Sequence, residues 1–246
     1  MKAFPAWIPN QRLFPILTLG VAVLLLAGCK PAREAASEPE KPAPDSSAGA
    51  IAPPAAPPAG AVRYDAQPGS EVRIDGTSTL HDWTVKSQVV GGFMEVDPDF
   101  PASALKAGAN TPKPRVEIAI PVRTLKSYAK KMDEVMQAHL RMTNHAKIEY
   151  RLIELRPTGA TNGAARFDAV GTLTVSGKTR TNTMPVTIER IDKAKLKVTG
   201  ATPLKMTDFG IEPPSPTIGG VRVIKTGDDV KISFDWLAAQ KGDAAK

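Results

Sequence analysis

From about Val62 onward apolar and polar residues alternate one for one, and this pattern constrains the fold more than any other feature of the chain. Val116, Ile118, Ile120 and Val122 alternate with Glu117, Ala119, Pro121 and Arg123, and Ile148, Tyr150 and Leu152 with Glu149 and Arg151. The same holds for Met184, Val186 and Ile188, for Leu196 and Val198, and for Val230, Ile232, Phe234 and Trp236. Successive side chains of a strand point to opposite faces, so each segment has one apolar face to bury. Parallel strands covered on both faces would read as continuous apolar runs, so these strands are antiparallel. Further strands are predicted at 71–75, 84–90, 92–96, 167–175 and 203–206, punctuated by turns at Gly91-Gly92, Asn162-Gly163, Ser176-Gly177 and Gly227-Asp228-Asp229. A closed barrel or a two-sheet sandwich would hide all these faces. An antiparallel β-barrel of about eight strands would also remove exposed edges, and the strand pattern alone leaves these two all-β architectures open.

One segment breaks the alternation. Between Ser127 and Met142, Met132, Val135, Met136 and Leu140 fall at helical spacing, with Lys130, Lys131, Asp133, Glu134, Gln137 and Arg141 on the other side. This predicts a single amphipathic helix with Ser127 as N-cap and Asn144 at its end. Its apolar stripe has a natural place over one open end of the barrel.

The N-terminal region cannot belong to that body. Lys2 and Arg12 precede an uncharged apolar run from Leu13 to Gly28, interrupted by Pro15. The run is short of the roughly 20 residues a bilayer core needs and reads as a signal peptide over residues 1–28. It ends in Leu26-Ala27-Gly28-Cys29, which resembles the lipobox of bacterial lipoproteins and implies cleavage before Cys29, the only cysteine, a thioether between its thiol and a diacylglycerol, and acylation of the new N-terminus. Residues 29–61 are largely Pro, Ala, Ser, Glu and Gly, too poor in apolar surface to offset their ordering entropy. They are expected to form an extended tether reaching on the order of 100 Å. The folded domain is assigned to 62–238 and a flexible tail to 239–246.

Without Lys2 and Arg12 the mature chain is mildly basic, with its cations scattered among acids and aromatics at only 5%. That is a solvated mixed surface rather than the basic, aromatic-laced stripe of a nucleic-acid binder. Three histidines, His81, His139 and His145, show no tight metal-ligand spacing, and no phosphate loop opens a helix. No catalytic residue, metal or cofactor is assigned. The stretch from Gly76 to Trp83 has two readings: His81, Asp82 and Trp83 line a mouth, or its Ser, Thr and Asp side chains build a tight connection with Leu80 and Trp83 packed beneath. The second is favoured.

From about Val72 to Leu237 the chain resembles the YceI-like family. The resemblance rests on an ordered set: Gly76-Thr77-Ser78-Thr79-Leu80-His81-Asp82-Trp83, Gly91-Gly92-Phe93, Met132-Asp133-Glu134, Ile148-Glu149-Tyr150, the run Gly171 to Thr179, Asp208-Phe209-Gly210-Ile211 and Gly227-Asp228-Asp229. Two departures stand out: Ala146 replaces a common proline, and Thr181-Asn182-Thr183 reads as a longer turn before Met184. The resemblance implies a lipocalin-like barrel that binds polyisoprenoids or similar long-chain amphiphiles, with no enzymatic activity and no metal.

On that expectation Ile118, Ile120, Tyr150, Leu173, Val186, Ile232 and Phe234 form the wall of a tunnel, with Met132, Met136 and Leu140 as its lid. The ligand would be an isoprenoid or fatty-acyl lipid. The competing reading fills the barrel with its own side chains and leaves the outer face to bind another envelope protein. The expected location is the cell envelope, membrane-anchored through Cys29 and facing the periplasm. Lys30, rather than Asp, after the cysteine resembles the sorting pattern of the outer membrane.

Overall fold

A computed structural model of the chain describes residues 60–106, 114–161, 163–215, 217–218, 221–222 and 224–240. The expected signal peptide, Cys29, the tether up to Ala59 and the tail from Lys241 lie outside the described residues. The strands are β1 (Val62–Ala66), β2 (Glu71–Ser78), β3 (Trp83–Ser87), β4 (Gly91–Val96), β5 (Arg115–Pro121), β6 (Lys147–Thr161), β7 (Ala164–Val175), β8 (Lys178–Arg190), β9 (Lys195–Lys205), the short pair β10 (Thr217–Ile218) and β11 (Val221–Arg222), and β12 (Thr226–Gln240). The helix α1 spans Lys130–His139.

Antiparallel pairing runs β1-β4-β5-β6-β7-β8-β9-β12, and β12 pairs back onto β1, which closes the barrel. β2 and β3 belong to the same ring. β12 pairs through its C-terminal end with β1 (Tyr64 opposite Gln240) and through its N-terminal part with β2 (Asp235 opposite Glu71). β1 and β2 are therefore two halves of one strand bent at 67–70, where the Ser70 hydroxyl donates to the Gln67 carbonyl at 2.8 Å and accepts from the Leu237 N–H at 3.0 Å. β3 and β4 are likewise halves of the next strand. The result is an eight-stranded barrel, as the resemblance to the YceI-like family implies.

Several details differ from the sequence reading. The strand expected over 84–90 ends at Ser87, whose hydroxyl accepts the Val89 N–H and turns the chain. β12 runs to Gln240, so the domain extends two residues past the expected boundary at 238. Thr181-Asn182-Thr183 is not a longer turn; the turn is Ser176-Gly177 and these residues are strand. A bulge at Ile153, between Leu152 and Glu154, sends that side chain outward and moves the inward parity from Leu152 to Leu155. The helix starts later than expected because Ser127 does not cap it. Ser127 instead gives its hydroxyl and its N–H to Asp133, both at 2.7 Å.

The barrel has two unlike ends. Around the end reached by Tyr64, Ile188, Leu196 and Trp236, the inward side chains are fully buried, and Phe100 stacks on Phe167 with ring centroids 5.7 Å apart. Arg190 ties this end shut, donating to the carbonyls of Phe100, of Pro98 at 3.3 Å and of Lys193 at 3.1 Å, and to the Tyr64 hydroxyl at 3.2 Å.

Candidate functional site

The opposite end is built differently. Ile74, Trp83, Ile118, Ile120, Tyr150, Leu204, Ile232 and Phe234 point inward with the alternation of their strands, yet are only half-buried. Inward side chains can keep accessible surface only where the lumen beside them has room. Met132 and Met136 of α1, with Leu140 and Met142 just after it, are likewise partly buried and pack against the buried core. Unbranched thioethers adapt to irregular apolar neighbours, which suits a cover that must shift.

Three glycines of the wall explain why the aromatic residues do not plug this space. Gly76 is directly paired with Trp83, and Gly200 with Phe234. In both cases a Cβ on the glycine would collide with the neighbouring ring. Tyr150 covers Gly171, diagonal to it on the next strand, in the same way. Each ring thus lies along the wall in the place of a missing side chain rather than across the lumen. This is the cross-strand aromatic cover of a sheet glycine.

All the residues expected as wall sit on the inward face. Leu173 and Val186 are buried in the core; Ile118, Ile120, Tyr150, Ile232 and Phe234 are half-buried, as are Met132, Met136 and Leu140, all packed against the buried core. Sequence reasoning passed over Trp83 as a wall residue and Asn182 altogether. Asn182 shares the inward parity of Met184, Val186 and Ile188, which the reading as a turn obscured. It pairs with Gly171, so it sits beside the Tyr150 hydroxyl. Asn182 Nδ2 and the Tyr150 hydroxyl are buried polar atoms that find no partner among the described residues. Burial pushes the Tyr150 phenol well above its usual pKa, so it stays protonated.

Beside the lumen, the wall itself divides. β8 pairs with β9 only from Val186–Gly200 to Arg190–Leu196, and the next residue, Pro185, has no N–H with which to continue the ladder. An open groove of about 610 Å³ lies near this fork, lined by Glu71, Arg73, Arg166, Pro185, Thr187, Thr199 and Asp235 together with Phe167, Val186 and Phe234. Its lining is mixed, with four charged side chains beside the apolar ones. Of the Gly76 to Trp83 stretch, Trp83 packs as expected but Leu80 does not: it is 68% exposed. Among the described residues no three His, Cys, Asp or Glu side chains are placed to hold a metal ion.

The model of the YceI-like domain matches residues 66–238. Among solved structures, BcnA from Burkholderia cenocepacia matches with a TM-score of 0.55 at 16% identity, over 71% of this chain and 100% of that one. A polyisoprenoid-binding domain from Saccharophagus degradans, implicated in plant cell wall breakdown, matches with a TM-score of 0.56 at 12% identity, over 74% of this chain and 99% of that one. At such identities these are likenesses of fold. No curated protein matches the chain.

Proposed function

The chain belongs to the YceI-like family, and from that premise we propose that its barrel binds the apolar chain of a polyisoprenoid or a similar long-chain amphiphile. The observation that carries this reading is the half-buried state of the inward aliphatic residues beside α1, together with the rings of Trp83, Tyr150 and Phe234 laid over glycines. Each methylene moved from water into such a space is favourable by about 0.8 kcal/mol, a gain that outweighs the cost of association only where the space is already formed. A wall with its aromatic rings held aside meets that condition. The role is binding rather than catalysis, for sequestration or transport of the lipid in the cell envelope. The likeness to a polyisoprenoid-binding domain supports the choice of ligand class.

Native mass spectrometry of the purified protein, followed by extraction and rebinding of isoprenoid and fatty-acyl probes, tests this. One lipid per chain, displaced and saturably replaced by a probe, is the expected result. A protein that carries no lipid and binds none removes the reading and leaves the outer face as the binding surface.

From the apolar run that ends in Leu26-Ala27-Gly28-Cys29 we further infer that the chain is exported and held by an acylated Cys29, with the barrel in the periplasm and Lys30 directing it to the outer membrane. Metabolic labelling with a fatty acid should mark the parent and not C29S. Equal labelling of the two would refute the anchor, and separation of the membranes on a density gradient reads the destination.

A further inference from the structure

The mouth of the barrel carries two exposed apolar side chains that its packing does not use. Leu80, at the tip of the β2–β3 connection, is 68% exposed, and Tyr128, just before α1, is 93% exposed. Both are held in place rather than left loose. The Ser78 hydroxyl accepts the N–H groups of Leu80 and His81 at 3.3 and 3.2 Å and donates to the His81 carbonyl at 2.7 Å. Tyr128 adopts φ 68°, a left-handed conformation unfavourable for a bulky side chain, so the surrounding structure imposes it. On one side of it the Asp133 carboxylate grips Ser127; beyond that, Lys126 pairs with Lys86 through backbone bonds of 2.8 Å in both directions. That bridge lays 122–126 along the free edge of β3, antiparallel to it. Tyr128 therefore rises at the level where β3 begins, on the same rim as Leu80.

The charge around this rim is predominantly positive. Between 123 and 147 the cations are Arg123, Lys126, Lys130, Lys131, Arg141 and Lys147; the acids are Asp133, which is buried and pairs with Lys126 at 3.6 Å, and Glu134, which pairs with Lys131 at 3.4 Å, and Asp82 lies beside Leu80. An amphipathic ring flanked by lysines sits well at a membrane–water interface, and anionic head groups attract the cations.

We propose that the α1 rim of the barrel is a docking surface for an anionic lipid bilayer, with Tyr128 and Leu80 entering the head-group layer and Lys130 and Lys131 meeting its phosphates. The contact would set the lumen's mouth against the source of its ligand, but it does not depend on the lumen holding one. Each cation at such a surface is worth about a fivefold gain in affinity, screened away at high salt.

The test is hydrogen exchange on the full chain bound to vesicles of phosphatidylcholine alone or of three parts phosphatidylcholine to one part phosphatidylglycerol. Because the readout is local, attachment through the N-terminal segment does not obscure it. The expected result is slowed exchange at 78–83 and 126–135 on the anionic vesicles only, reversed by high salt, lost in K130E/K131E and weakened in Y128S, while β7 and β8 are unaffected. Exchange at the rim that is equal on both vesicles, or slowed as much in K130E/K131E as in the parent, overturns the proposal. So does slowing by an acidic polypeptide such as polyglutamate but not by the vesicles, which would assign the rim to a protein partner. Lipid found inside the barrel of a protein whose rim ignores vesicles would defeat this proposal and leave the binding function intact.

Discussion

Trp83 covers Gly76, its directly paired neighbour across β2 and β3, and its indole N–H donates to the Thr77 carbonyl at 3.1 Å. The hydrogen bond holds the ring against the wall, over Gly76. A Cβ at Gly76 would overlap the ring, so G76A forces the indole to move and lose that bond. Overpacking of this kind costs about 1–3 kcal/mol. A lower melting temperature and an altered tryptophan emission are expected together; an unchanged spectrum would mean that the ring is not held by this contact.

Asn182 Nδ2 is buried without a partner among the described residues, and such an atom costs about 1–3 kcal/mol. Valine is branched one carbon nearer the backbone than asparagine, but it suits a strand and carries no polar atom. N182V is therefore expected to raise stability by about 1 kcal/mol, measured by urea denaturation. Loss of stability would place an unseen partner at the amide.

How much of this was legible in the sequence follows from the physics of strands. Alternation fixes which residues share a face, so the inward set from Ile118 to Phe234 could be read directly, while the choice of a barrel over a sandwich came with the family resemblance. Alternation does not fix where a face begins or ends. The bends between β1 and β2 and between β3 and β4 depend on contacts with β12, far away in the chain, and so do not announce themselves locally. The parity change at Ile153 is a bulge, one extra residue with no composition signal. That Gly76, Gly171 and Gly200 would each lie under an aromatic ring required the register, which the sequence does not carry. Ser127 looked like an N-cap; a buried carboxylate four residues into the helix segment won its donors instead.

Arg190 makes four hydrogen bonds at the closed end, three of them to carbonyls of the loops that cover it. Tyr64, which accepts one, also accepts from Gln240 Nε2 at 2.9 Å. R190A leaves those carbonyls without their donor and should cost about 2–4 kcal/mol. Y64F loses only the hydroxyl and should cost about 1 kcal/mol. Thermal melts check the order. Lipid binding at the other end should survive in both variants, since neither touches the half-filled part of the lumen.

Asp133 makes the seating of α1 dependent on acidity. Burial, the largest influence on its carboxyl, favours the neutral form, but the Ser127 hydroxyl, the Ser127 N–H and Lys126 at 3.6 Å together outweigh it and hold the pKa below its ordinary 3.8. A group whose pKa is lower in the folded state stabilises that state fully above its unfolded value, and the contribution disappears as pH falls through the folded value. The loss therefore belongs below about pH 4 and leaves neutral conditions untouched. D133N keeps the shape and removes the charge. At neutral pH it should be less stable than the parent, and the difference should shrink towards zero as the pH is lowered below 3.8, where the parent too becomes uncharged. Denaturation of both proteins between pH 7 and pH 2.5 measures this. Hydrogen exchange over 127–139 should rise in the same acidic window for the parent, because Asp133 is the tie that fixes the start of the helix over the lumen. A stability difference that stays constant with pH would mean that the charge of Asp133 contributes nothing and that Ser127 is held by the shape of the turn alone.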